Sequence, residues 1–339
     1  MIDAVLTLLE SGQDLTMEQM TEALDAVMEG RCTEDQIARL LLGLHRKGET
    51  VGEVAGAASA LRKHMTPIRT RRTGVLDTCG TGGDGARTFN ISTAAALVTA
   101  AAGVPVAKHG NRRITSRSGS ADVLTALGVN VEAGVSRVEA CLDELGICFC
   151  FAPLLHCAMR HVASVRSRLG VPTIFNILGP LTNPAAAPYQ LLGVGRRSLQ
   201  PLLSQALTRL GAIRVLVVHG ADGLDEVTLT GPTHAIEATP AGLRSFELTP
   251  GDFGLECRSL ETTLVEGPDQ SAEMIRQVLA DRPGAARDVV VINAAAALWV
   301  AGRDESLKTC AGLAAEAIAN GAAAELLARL AELSHATEG

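Results

Sequence analysis

Aromatic residues are nearly missing from this chain: Trp occurs once, Tyr once and Phe six times in 339 residues. A chain of this length buries a large core, so Ala, Leu and Val have to fill it. That favours helices packed closely on a sheet, and an α/β protein is the expected class, as one large domain or two unequal ones. An excess of basic charge is also lacking. The formal net charge of −7 argues against the cationic face with which nucleic-acid-binding proteins neutralise phosphates. An anionic ligand must then be held by local groups or by a metal. No uninterrupted apolar run reaches the roughly 18 residues of a membrane-spanning helix. The N-terminal MIDAVLTLLESGQDLT has neither a basic n-region nor a cleavage pattern, so no signal peptide is read and a soluble cytoplasmic protein with reduced thiols is expected. No C-x2-C pair occurs among the eight cysteines. Cys148, Cys150 and Cys157, grouped around His156, therefore read as core thiols rather than metal ligands, the first two on a buried strand.

What is present falls into two rhythms. The first 65 residues read as helices almost throughout, with start signals at Thr16 and at Thr33, where Thr33 and Gln36 spell a capping box. The polar RTRRT at 69–73 links this small helical unit to the remainder. From residue 75, short apolar runs alternate with helical patterns, the mark of a mainly parallel sheet flanked by helices. Strands are expected over 75–78, 104–107, 147–151, 190–194 and 213–219, with helices over 91–102, 119–127, 136–145, 153–169 and 199–210. The runs 227–230 and 243–248 read as a later, partly antiparallel addition. From about Ser271 the tail reads as four alanine-rich helices. No repeat, low-complexity tract or heptad array interrupts this pattern.

The most informative stretch is 77–131. The expected first strand runs into Gly80-Thr81-Gly82-Gly83-Asp84-Gly85, and a helix opens at Ile91. Glycines let backbone amides wrap an anion, and a helix N-terminus adds favourable partial charge. The residues satisfy G-x-G-x-x-G literally, but Asp84 inside the loop would repel a bare pyrophosphate and no acid follows about 20 residues later for a ribose. A Walker pattern is absent. A mere tight turn is the simpler alternative, and it leaves the polar residues downstream without a purpose. Asn90, Ser92 and Thr93 sit in the first helical turn, where they either cap the helix or meet ligand oxygens. Residues 108–117 carry Lys108, Arg112, Arg113 and Arg117 together with His109. They leave the end of the second strand, on the edge where open α/β sheets bind ligands, so phosphate neutralisation is favoured over a solvated loop.

The motifs GTGGDG, FNIST, KHGNR and SRSGSADVL resemble those of the anthranilate phosphoribosyltransferase family in order and spacing. So do VRSRLGVPTIFNILGPLTNP from Val165, DGLDEVTLTGPT from Asp222 and DVVVINAAAALWVAG from Asp288. The match spans roughly residues 5 to 335. It implies a small helical domain over 1–70, with added helices from about 165–185, beside an α/β donor-binding domain over 71–339, and a homodimer joined through the small domains. The implied reaction joins the amine of anthranilate to C1 of 5-phosphoribosyl-1-pyrophosphate and releases pyrophosphate, in tryptophan biosynthesis. Neither a nucleic acid nor a membrane is an expected partner.

By resemblance, donor contacts fall on Gly80, Gly83 and Asp84 in the glycine loop, and on Thr88, Asn90, Ile91, Ser92 and Thr93 at the next helix start. They continue through Lys108, His109, Gly110, Asn111 and Arg112 into Arg113, Ile114, Thr115 and Ser116, a loop that folds over the donor, and end at Ser120. Lys108 would act electrostatically, and His109 is a possible acceptor of the amine proton. Gly80, Asn111 and Arg166 would hold anthranilate, Arg166 by a guanidinium fork on its carboxylate. On spacing alone Arg166 could equally be a helix-surface charge. Asp225 and Glu226, with Ser92, would bind magnesium, two ions per active site, since hard cations take oxygen ligands and bridge carboxylates to phosphates. An acidic pair in a turn can also be merely solvated. Cys157 and Ser164 stand where the family often has proline, and Arg113 and Ile114 where it has smaller residues. The nearest rival is a pyrimidine nucleoside phosphorylase, whose relatives lack the DGLDE and LGPLTNP patterns. A non-catalytic binding relative is the other.

Overall fold

The computed structural model describes residues 2–112 and 118–336. Arg113, Ile114, Thr115 and Ser116, named above as donor contacts, lie outside them. The chain opens with four helices, α1 (Ile2–Glu10), α2 (Met17–Met28), α3 (Glu34–Lys47) and α4 (Val51–His64). Thr16, Thr33 and Thr50 each cap one of the last three through a reciprocal box with Gln19, Gln36 and Glu53. Then follow β1 (Leu76–Gly80), α5 (Ile91–Ala101), β2 (Val106–Gly110), α6 (Ser120–Ala126), α7 (Val135–Leu145), β3 (Ile147–Phe151), α8 (Ala152–Leu155), α9 (Arg160–Leu169) and α10 (Phe175–Leu178). The second half holds β4 (Tyr189–Gly193), α11 (Leu199–Arg209), β5 (Arg214–Gly220), β6 (Thr233–Thr239) and β7 (Gly242–Leu248). The alanine-rich tail forms α12 (Pro268–Leu279), α13 (Ala285–Val300), α14 (Leu307–Ala319) and α15 (Ala322–His335).

The strands make one sheet in the order β3-β2-β1-β4-β5-β6-β7, parallel through β5 and antiparallel beyond. Strand order reverses between β1 and β4, which is the topological switch point of such a sheet and the place where ligands bind. Alternate residues along a strand face opposite sides, and the core divides accordingly. Leu191 and Leu216 join a core with α5 and α13, whereas Leu192 and Val217 join another containing α4, α9 and α11 residues. The helices at 160–178 thus share their core with the N-terminal four.

Three expectations are corrected. Residues 227–230 form no strand. Both backbone polar groups of Val227 are held by Asn293, and the Thr228 and Thr230 hydroxyls donate to Asp222, each at 2.7 Å. Side-chain bonds have replaced a ladder there, and the strand beside β5 is 233–239. The expected helix over 153–169 is broken at His156, whose φ of −117° and ψ of 53° leave the helical region. The first two strands also run further than their apolar residues suggest, to Gly80 and Gly110, because parallel neighbours pair Gly80 with Gly193 and Gly110 with Phe151. Lys108 and His109 are accordingly strand residues rather than loop residues.

Candidate active site

At the C-terminal end of β1 the chain turns through Gly82, Gly83 and Gly85, with φ values of 65°, 84° and 70°, a backbone region open chiefly to glycine. The turn leans on the acidic loop after β5: Gly82 N–H donates to Asp225 Oδ2 at 3.0 Å. Close approach is built in at two strand ends. A Cβ on Gly80 would lie 2.6 Å from Asp225 Oδ2, and one on Gly193 would lie 1.6 Å from the Asp225 carbonyl oxygen. Gly193 was missed in the sequence because it sits far from any motif. Its only signal is a glycine ending an apolar run.

Asp225 and Glu226 are half-buried. Burial raises the Asp225 carboxyl to about 7, aided by the neighbouring Asp84. Burial, and then Asp225, pushes Glu226 well above the ordinary carboxylate range. Such a pair is costly to ionise without a compensating cation. Neither acid makes a salt bridge among the described residues. Ser92, at the start of α5, lowers the Glu226 carboxyl through its backbone N–H and accepts Lys108 Nζ at its hydroxyl, 3.2 Å away. No group of three His, Cys, Asp or Glu side chains forms a closed metal cage among the described residues. Two carboxylates and a hydroxyl still fit magnesium, which keeps waters and takes its remaining oxygens from substrate phosphates.

Lys108 is 4 % exposed, and its Nζ donates to the Thr78 carbonyl and to Ser92 Oγ. Burial lowers its pKa, opposed first by Asp77 and then by Cys79, Glu226 and Asp225. Asp77, fully buried on β1, was not expected in the site. Its Oδ1 accepts the His109 backbone N–H at 3.2 Å, which ties β2 to β1 beneath the lysine. Gly110 follows in the strand, where a Cβ would meet Ser120 Oγ at 2.1 Å, so glycine there lets α6 close on β2.

His109 Nδ1 lies 3.0 Å from the Gly179 carbonyl oxygen, and its Nε2 lies 3.2 Å from His156 Nε2. The hydrogen-bond pattern assigns the proton to Nδ1, so the Nε2 lone pair is engaged by His156. Burial brings His109 down to about 3 and His156 to about 4. Both are neutral imidazoles at neutral pH, which favours positioning over proton transfer for His109. The unfolded chain takes up protons near the ordinary value of about 6.5, and the folded one does not until far lower. Stability is therefore full above that value and falls with pH below it, by up to about 1.4 kcal/mol per pH unit for each ring. Asp225 and Glu226, raised by burial, act in the opposite sense over the same range, so the histidine contribution is read as a difference. In thermal unfolding from pH 7.5 to 5 the native protein should lose more stability, or gain less, than His156→Gln. An equal slope in the variant would mean the rings are not the cause.

The remaining expected residues divide. Asn111 is half-buried, and its Oδ1 accepts the Arg112 N–H at 2.7 Å. Arg112 already pairs with Glu132 at 2.7 Å and Asp122 at 3.5 Å, so much of its charge is balanced by protein. Thr88 bridges to Leu264. Ile91 is buried in the core and contributes position rather than a side-chain contact. Thr93 is buried, and its Oγ1 has no hydrogen-bond partner among the described residues. Arg166 is half-buried over the Phe175 ring at 5.2 Å, without a carboxylate partner among the described residues, while Arg168 nearby is taken by Glu34 at 2.8 Å. A free, partly desolvated guanidinium separates Arg166 from an ordinary surface charge. Cys148 and Cys150 are buried with their sulfurs 3.9 Å apart, and Cys157 is exposed. They do not converge on a metal.

Two family models cover the chain: the helical bundle domain of a glycosyl transferase family over residues 4–65 and the α/β domain of that family over 72–324. An anthranilate phosphoribosyltransferase from Rhodospirillum rubrum is 50 % identical over 329 residues, covering 97 % of this chain and 94 % of that one. One from Rhodopirellula baltica is 49 % identical, covering 96 % of each. The chain belongs to the anthranilate phosphoribosyltransferase family. Among solved structures, the Thermus thermophilus member superposes with a TM-score of 0.92 at 44 % identity, covering 98 % of this chain and 99 % of that one. The Saccharomyces cerevisiae member, solved with PRPP and Mg, gives 0.89 at 28 % identity, covering 98 % and 97 %.

Proposed function

We propose that this chain is a magnesium-dependent anthranilate phosphoribosyltransferase, moving the 5-phosphoribosyl group of 5-phosphoribosyl-1-pyrophosphate to the amine of anthranilate in tryptophan biosynthesis. The observation that carries this reading is the seating of Asp225 and Glu226 against the glycine loop at the switch point, with buried Lys108 among them. In this reading Asp225, Glu226 and Ser92 hold magnesium, two ions per active site. When bound, it neutralises charge developing on the departing pyrophosphate. Gly80, Gly83 and the amides around Gly82 wrap the phosphates. Asn90, Ser92, Thr93 and Ser120 supply further donors, and Asp84, beside Asp225, would add negative charge suited to a bound cation rather than to bare phosphate.

Lys108 adds a fixed cation that needs no reorganisation as the bond breaks. Arg166 and Asn111 hold anthranilate so that its amine faces C1 of the ribose, and much of the rate enhancement comes from that alignment. The uncharged amine is already a nucleophile and needs no base from His109. The reading also divides the chain into a small helical unit, 1–70 with helices from 165–185, and an α/β unit, 71–339. It extends to a cytoplasmic homodimer joined through the small units. A sedimentation mass of a single chain would overturn the dimer.

Loss of anthranilate fluorescence, followed with donor, magnesium or both omitted, tests the activity. Signal loss is expected only with both present. Unchanged fluorescence with intact donor would overturn the assignment, as would ribosyl transfer from a nucleoside to inorganic phosphate. Arg166→Ala should raise the anthranilate KM about 10- to 100-fold, in line with a charge-assisted bond of about 1.5–3 kcal/mol, with the donor KM little changed. Unaltered anthranilate kinetics would place the acceptor elsewhere.

A further inference from the structure

Ser271 lies on α12, in the C-terminal helical layer, yet its hydroxyl is spent on the start of α5. It is fully buried, at 0 % exposure. The Asn90 backbone N–H donates to Ser271 Oγ at 2.9 Å, and Oγ lies 2.8 Å from Asn90 Oδ1. A hydroxyl has one proton. With its oxygen accepting the Asn90 N–H, that proton goes to Oδ1, and the carboxamide oxygen is the atom turned toward α12. Nδ2 then faces the other way, where one N–H donates to the Ser118 carbonyl at 3.2 Å. The second N–H has no protein acceptor among the described residues.

The usual duty of an asparagine at this position is not being done. Asn90 is the N-cap of α5 and makes no side-chain capping bond. The chain entering α12 is also pinned to the same stretch: Phe89 N–H donates to the Thr263 carbonyl at 3.0 Å and Val265 N–H to the Arg87 carbonyl at 2.9 Å. Backbone pairing therefore delivers Ser271 to Asn90.

We propose that Ser271 is a positioning residue for the phosphoribosyl donor: it sets the polarity of the Asn90 carboxamide, so that an N–H and not a carbonyl oxygen meets the phosphate oxygens. The inference rests on the reading of Asn90 as a donor contact. Without the serine proton only the 3.2 Å bond to the Ser118 carbonyl still orients the amide, and the turned-over form, with a carbonyl lone pair opposing an anionic oxygen, gains population.

The test is a double-mutant cycle of Ser271→Ala and Asn90→Ala, with Ser271→Thr as the conservative variant, read by the KM for donor, the KM for anthranilate, kcat and thermal midpoint. S271A should raise the donor KM about 5- to 10-fold, the scale of one lost hydrogen bond, with kcat and the anthranilate KM within about twofold. S271T, which keeps the hydroxyl, should restore the donor KM. In the N90A background S271A should change it no further. Equal rises in both KM values, or the same donor effect with and without Asn90, would make Ser271 merely structural and overturn the proposal. If N90A alone leaves the donor KM unchanged while the enzyme still uses the donor, the Asn90 assignment fails and takes this inference with it, though not the reaction. Should S271A not fold, Ser271→Cys keeps the volume with a much weaker donor, and a wild-type donor KM in that variant overturns the proposal.

Discussion

Replacing Asp225 with Asn and Glu226 with Gln together is expected to lower donor kcat/KM by about 10²- to 10³-fold, at any magnesium concentration that keeps the enzyme soluble. On the proposed reading the pair holds a Lewis-acidic cation, worth several kcal/mol in a transition state that puts charge on pyrophosphate, and its removal sets this size. Stability should move the other way. Both acids are held above their ordinary range by burial, so they oppose folding when ionised, and neutral amides of similar size relieve that. Thermal unfolding without ligands should give a midpoint equal to or above the native one. The native protein should gain stability from magnesium plus donor, and the double variant should gain far less. An active double variant, or one stabilised equally by the ligands, would remove the acidic pair from the site.

Lys108→Met is expected to cost both stability and rate. The lysine is buried and donates to the Thr78 carbonyl and to Ser92 Oγ. Methionine leaves those acceptors without their donor, at about 1–3 kcal/mol each, and takes away the cation that favours the ionised form of the buried Asp77 carboxyl. The rate should fall by about 100-fold or more through loss of a preorganised cation. The two losses separate in the double variant Lys108→Met with Asp77→Asn. Neutralising Asp77 as well should recover part of the thermal midpoint, the hydrogen bonds to Thr78 and Ser92 staying lost, and none of the rate. Recovery of activity together with stability would show that Lys108 acts on the fold alone.

These expectations depend on contacts of unequal visibility in the sequence. The glycine loop, the hydroxyl-rich start of α5 and the DGLDE turn were readable because each is a local run with one chemistry. Lys108 was visible as a residue but not as an environment, since a lysine after an apolar strand reads as the first residue of a loop. Only the parallel pairing of β2 with β3 carries the strand on to Gly110 and buries the side chain. Asp77 looked like an ordinary polar residue within a strand. Gly193 showed nothing until the Asp225 carbonyl stood where its Cβ would be. The run 227–230 misled in the opposite direction: its alternation suits a strand, but Asn293 and Asp222 take its hydrogen bonds from across the fold.

By itself, the sequence determined the class of fold, most of the succession of helices and strands, the glycine-rich character of the loop and the family. All of these depend on neighbouring residues, on composition or on motif order. The tertiary structure alone decided which charges face one another and which backbones touch. It made Lys108 a buried cation, His109 a neutral ring engaged by His156, Arg166 a half-buried guanidinium over Phe175 and Ser271 a partner of Asn90. The physical reason is that burial and pairing are properties of residues brought together from distant parts of the chain. Asn90 and Ser271 are separated by 181 positions, and no local pattern records such a meeting.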